Sequence, residues 1–201
     1  NFCKKEFSIA TDNSPGAAPL DLIWNFEDIQ KAKNMADYVI VIVHGGAENY
    51  QYPTPRQVKT YRFFASLGIC AVIGHHSHCI QQWEEYNGVP ICYSLGNFVF
   101  DEKNNPDSWF KGLLISLTPQ KPNTLIKIYP FTIDIDSFYI TNASYNNLRL
   151  IIEEVYDMWD KNIRNHKKAR NIINKLKCSS RVNRFITRLI YKKLISGLDV
   201  S

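Results

Sequence analysis

Four of the five histidines in this 201-residue chain fall in two short segments. His44 closes the run VIVIVH just before Gly45 and Gly46, and His75, His76 and His78 crowd the segment GHHSH. Each segment directly follows residues that favour strands. Loops at the carboxyl ends of strands are where open α/β sheets bind ligands, so imidazoles placed there suggest a metal site. His76 and His78, one residue apart, can converge on one metal or bridge two, and His44 brings a third nitrogen from a separate strand. Neutral imidazole suits zinc, copper, iron and nickel. Hydrolytic metal centres add hard oxygen ligands that balance charge. Glu48 and Asn97 lie close to the motifs, but no Asp follows a strand where it would bridge two ions. Two other readings stand beside this one. A histidine after a strand also serves as a hydrogen-bonded structural residue, and Ser77 or Cys79 with a histidine base would make a nucleophilic pair. Neither nucleophile sits at a sharp strand-to-helix elbow, which weighs against the second alternative.

The elements that must carry these side chains follow from pattern. The segment Asp12 to Gly16 is loop chemistry, after a short strand-like opening. A helix is expected over Asn25 to Ala36, with Ile29, Ala32 and Ala36 as its apolar stripe. Tyr38 to Val43 is a continuous apolar run of the kind found in strands covered on both faces. Pro53 and Pro55 introduce a second helix, Arg56 to Leu67, whose inner face is Tyr61, Phe64, Ala65 and Leu67, with Gly68 placed to end it. Ile69 to Ile73 forms another buried strand leading into GHHSH. Asn87-Gly88 between two strand-like runs predicts a hairpin. Further strands are expected at Phe98 to Phe100, Gly112 to Leu117 and Leu125 to Ile135. The order argues for a layered α/β fold with a mixed sheet. From Asn146 onward the pattern is helical, which divides the chain into a domain over 1–144 and a basic amphipathic extension over 145–201.

Charge follows the same division. Residues 1–144 carry 11 Lys and Arg against 14 Asp and Glu, whereas residues 145–201 carry 13 against 5, so the basicity belongs to the extension. Apolar residues such as Ile172, Ile173, Phe185, Ile186, Leu189 and Ile190 alternate with its cations. That amphipathic pattern favours a solvated helical appendage, or peripheral contact with an anionic membrane, over nucleic acid. No run approaches the ~18 apolar residues of a membrane span. Cys70, Cys79 and Cys92 sit in or beside apolar strands and the total of five is odd, which reads as reduced thiols. A cytoplasmic or peripheral-membrane location is expected, with any signal or anchor upstream of Asn1.

The segments VIVHGGAENYQYPTPRQ and AVIGHHSHCIQQWEEYNGVPICYSLGNFVFD together resemble the CapA family of capsule and poly-γ-glutamate synthesis proteins. That family's pattern is H-x-G-x-E-Y, P-x-x-x-Q, G-x-H-x-H and E-x-Y-x-G-x-P-I-x-Y-S-L-G-N-F. The resemblance implies the carboxyl-terminal part of a calcineurin-like metallophosphoesterase fold, spanning Phe2 to Asp101 and, more loosely, reaching Asp136. It further implies His44, His76 and His78 as ligands of a centre holding two divalent metal ions (manganese, iron or zinc). Glu48, Asn97 and His75 are the implied candidates for catalytic roles. Glu48 matches the motif glutamate although Asn49 is inserted before Tyr50; His75 occupies a variable position; and Asn97 reads equally as a turn residue bonding its own backbone. The aspartate-containing loop and the asparagine segments that family members carry ahead of the histidine motif do not occur before His44. The expected function is therefore two-metal phosphoester hydrolysis in capsule-polymer synthesis by a complete protein, with this chain alone inactive. The alternative is a non-catalytic partner in a capsule assembly or export complex.

Overall fold

A computed structural model describes residues 9–11, 13–100, 105–120, 123–145, 148–149, 155–157, 159–161, 164 and 167. The chain divides into two compact units, residues 1–150 and 151–201. In the second unit the described residues 155–157, 159–161, 164 and 167 are helical. The basic segment expected over Val182 to Ile195 lies outside the described residues.

The first unit runs α1 (Leu22–Met35), β1 (Ile40–His44), α2 (Pro55–Ser66), β2 (Ala71–His75), β3 (Ile80–Tyr86), β4 (Val89–Leu95), β5 (Lys111–Thr118), β6 (Leu125–Ile133) and β7 (Ile140–Asn142). A four-stranded sheet has the order β1-β2-β4-β3, parallel from β1 through β4 and antiparallel at β3, so it is mixed as the sequence predicts. Strands β5 to β7 differ from expectation by forming their own antiparallel sheet. The chain leaves the first sheet at Gly96, where φ is +73° and Lys111 O lies 2.5 Å from where a Cβ would be. Phe98 to Phe100 consequently forms no strand, contrary to the pattern reading.

Helix α2 shows the local logic well. Pro55 takes the first turn, where its missing N–H costs nothing. Thr54 and Gln57 close a capping box, a device of about 1 kcal/mol. Val58, Tyr61, Phe64 and Ala65 then face inward, and Tyr61 stacks on Tyr93 of β4 with centroids 5.4 Å apart. The opposite face of the sheet carries Ala71, Ile73 and Cys92, packed against Ile115, Leu117 and Ile126 of the second sheet. Helix, mixed sheet and antiparallel sheet therefore stack as layers. Arg62 of α2 grips both oxygens of Glu84 on β3 at 2.6 and 2.8 Å, and Tyr93 donates to the same carboxylate. That network ties helix to hairpin and gives Glu84 a structural role. The hairpin turn is Asn87-Gly88, both left-handed (φ 52° and 77°), as its sequence requires.

Two expectations for the apolar segments need correction. Helix α1 begins earlier, at Leu22 behind the Asp21 cap, and of its predicted stripe only Ile29 is buried. Among the described residues strand β1 is an edge strand, and it is not covered on both faces: Val43 is buried but Ile42 is 70% exposed. An apolar run signals burial without saying which neighbour supplies it.

Gly74 lies on β2 beside β4, and a Cβ there would fall 2.0 Å from Tyr93 O. Gly74→Ala must push backbone apart and is expected to cost about 1–3 kcal/mol or more, read as a lowered urea midpoint with unchanged slope.

Candidate metal centre

Parallel register sets His44 opposite His75 at the carboxyl ends of β1 and β2. The loops that follow are joined by main chain: Gly45 N–H donates to His75 O at 3.1 Å and Asn49 N–H to Ser77 O at 2.8 Å. Beyond β2 the backbone adopts conformations that ordinary residues avoid, with φ +95° at His76 and +56° at His78; Asn49 in the facing loop has +61°. Left-handed backbone of this kind costs of order 1–3 kcal/mol per residue and collects at functional sites. Its effect is to turn the second loop toward the first. The rings of His44 and His76 lie 4.9 Å apart and those of His76 and His78 5.9 Å. His76 Nε2 is 3.6 Å from Glu48 Oε1.

All six residues singled out from sequence thus belong to one neighbourhood. His44 and Glu48 come from the first loop, His75, His76 and His78 from the second, and Asn97 from the end of β4, where its Oδ1 lies 3.0 Å from His78 Nδ1. One further residue had no sequence signal. Trp109, in a single 3-10 turn over Asp107–Phe110, stacks on His78 with centroids 4.0 Å apart and planes 12° from parallel. Its indole N–H donates to Asn49 Oδ1 at 2.6 Å. A lone Trp in a linker offers no motif, and only its tertiary partners reveal it.

Beneath the site the groups are inert. Cys79 is buried with its thiol pKa pushed up to about 11, and buried Cys92 to about 12. Ser77 Oγ is committed to Cys79 O at 2.8 Å. These facts weigh against the nucleophilic alternative, which needs an ionisable or base-activated group.

The donors fit a divalent cation in kind: three imidazoles on two loops with a carboxylate beside them. Among the described residues, no three His, Cys, Asp or Glu side chains already converge into a metal cage.

The loop pair lies within a stretch that matches a known protein family. Residues 3–102, just under half of the chain, match the family described as bacterial capsule synthesis protein PGA_cap. Over 93 residues it is 42% identical to the PGA biosynthesis protein CapA of Bacillus subtilis strain 168, covering 46% of this chain and 24% of that protein. Over 99 residues it is 37% identical to the capsule biosynthesis protein CapA of Bacillus anthracis, covering 47% of this chain and again 24% of the relative. The chain spans about a quarter of the length of these curated relatives.

Burial, and secondly the neighbouring His44, lower the pKa of His75 below its ordinary 6.5. Folding therefore favours the neutral ring, so this contribution is complete above about pH 6.5 and is lost as pH falls through the folded-state value. Urea midpoints measured with chelator present should drop between pH 7.5 and 5.5, and His75→Gln should reduce that drop.

Proposed function

We propose that this chain supplies the imidazole half of a two-metal phosphoester-hydrolysing centre acting in capsule-polymer synthesis. The observation that carries the reading is the meeting of His44, His76 and His78, with Glu48, on two loops joined by main chain within the family-matched region. His44, His76 and His78 would hold divalent metal, manganese, iron or zinc. When bound, such ions supply Lewis-acid stabilisation of charge developing on a phosphoryl oxygen. Glu48, exposed beside His76, can accept a proton or orient a hydroxyl at the mouth of the site. His75, half-buried at the end of β2, is a candidate proton acceptor. Further oxygen ligands are required to complete two metal positions, and partners in the capsule-polymer machinery are the natural source of substrate.

Titration of the chain with Mn²⁺, followed by water proton relaxation, should show weak binding of no more than one equivalent. The double change His44→Ala with His76→Ala should abolish it. Two tightly bound equivalents would overturn the half-site assignment. Turnover of bis-p-nitrophenyl phosphate by this chain alone would do the same, and its absence even in a longer protein would favour a non-catalytic assembly role.

The basic extension is assigned a surface contact with anionic lipid, on the strength of its 13 cations against 5 acids. Co-sedimentation with phosphatidylserine vesicles at low salt should fall at least several-fold when residues after Tyr145 are removed. Equal sedimentation of both forms removes the lipid contact. Among the described residues, no helix is long and apolar enough to cross a membrane.

A further inference from the structure

Two residues at the candidate centre stand outside the motifs shared with the family. Asn49 is the residue by which the first loop exceeds the H-x-G-x-E-Y pattern. Trp109 lies beyond residue 102, where the family match ends. They are bonded to each other, indole N–H to amide oxygen at 2.6 Å. Asn49 also holds the second loop, through its N–H to Ser77 O at 2.8 Å. Trp109 meets that loop by its ring, stacked on His78, while Phe100 stands edge-on to both rings at 4.7 and 5.6 Å.

A third residue closes the circuit. Asn97 Nδ2 donates to Trp109 O at 3.1 Å. That bond fixes which way the amide points and leaves Oδ1 facing His78 Nδ1 at 3.0 Å. An amide oxygen carries no proton, so His78 Nδ1 must be the donor. In a neutral imidazole the other nitrogen, Nε2, then holds the lone pair. Metal-ligating histidines are oriented in the same manner, by a partner on the nitrogen that does not bind the ion.

We propose that Asn49, Trp109 and Asn97 form a positioning clamp that holds His78 in its Nδ1–H tautomer and presents Nε2 to a divalent cation. The inference rests on the metal-centre reading for the identity of the ligand, but the clamp itself is a property of the metal-free chain. Asn49 and Trp109 belong together: the extra loop residue supplies the acceptor that seats the tryptophan, and the tryptophan seats both the histidine ring and the asparagine that fixes its proton.

Long-range ¹H–¹⁵N correlation spectra of the histidine rings, recorded at pH 8 with chelator, read the tautomer directly. His78, assigned by the loss of its signals in His78→Gln, should appear as the Nδ1–H form alone. Asn97→Leu and Trp109→Leu should shift it toward a mixture with the Nε2–H form, while the backbone amide spectrum away from the loops stays in place. Trp109→Phe keeps the stack and the main-chain carbonyl, so it should retain most of the wild-type signature. Mn²⁺ affinity in Asn97→Leu should fall about tenfold or more. A wild-type His78 in the Nε2–H form, or mixed, overturns the clamp whatever the metal does, even if the variants fail to fold. The Nδ1–H form without any Mn²⁺ binding keeps the clamp and sinks the metal-centre reading instead.

Discussion

Parallel pairing of β1 with β2 is the constraint on which the site depends. Side chains alternate along a strand, so the register that sets His44 beside His75 also decides that both face the same side of the sheet. A slip of one residue would send His44 to the opposite face and dismantle the neighbourhood. Main-chain bonds from Gly45 and Asn49 extend this pairing into the loops, where a strand ladder has already ended. The loops are consequently held as an extension of the sheet, and the left-handed residues His76 and His78 are supported by structure on both sides.

A buried amide ties helix α2 to strands β3 and β4 and, through Gln81, to the stretch after the first histidine loop. Gln57, fully enclosed, accepts from Thr54 N–H at its own helix end and donates to Gln81 Oε1 and to Tyr93 O. Gln81 in turn donates to Tyr50 O and Tyr52 O, in the stretch that connects the first histidine loop to α2. Each such bond contributes about 0.5–1.5 kcal/mol, but an orphaned buried partner costs about 1–3 kcal/mol, so the network is more specific than it is strong. Gly46 belongs to the same arrangement: a Cβ there would come within 3.2 Å of Gln57 Oε1, and its φ of +134° is open to glycine alone. Arg62 and Glu84 brace the far end of the helix against the hairpin, where partial burial strengthens an ion pair that would count for little at the surface.

Aromatic packing then finishes what main chain begins. His78 is stacked on the face of Trp109, with Phe100 edge-on to both rings and Asn97 on one ring nitrogen. Stacks of this kind add about 0.5–1.5 kcal/mol beyond the area they cover. Their larger consequence here is orientation, because a ring gripped on its face and at one nitrogen has little freedom left. The first loop, the second loop and the turn after β4 are thereby fixed relative to one another by three different kinds of contact.

Much of this was legible in the residues alone. Pro53 and Pro55 announce α2, Asn87-Gly88 announces the hairpin, and the histidine segments announce the loops, because turns and strand ends are local chemistry that short stretches of sequence encode. The family motifs carried the same local information. Sequence by itself therefore determined the helix and strand types, except at Phe98 to Phe100, and the layered α/β class, and it nominated the candidate ligands. Tertiary structure alone decided that β1 is an edge strand with Ile42 open, that β5 to β7 form a separate sheet, and that Asn49 and Trp109, sixty residues apart, meet over His78. The physical reason is range. Backbone preference and periodicity act over a few residues, whereas the face of a strand that is covered, or the ring that receives a stack, depends on partners that folding brings from far along the chain.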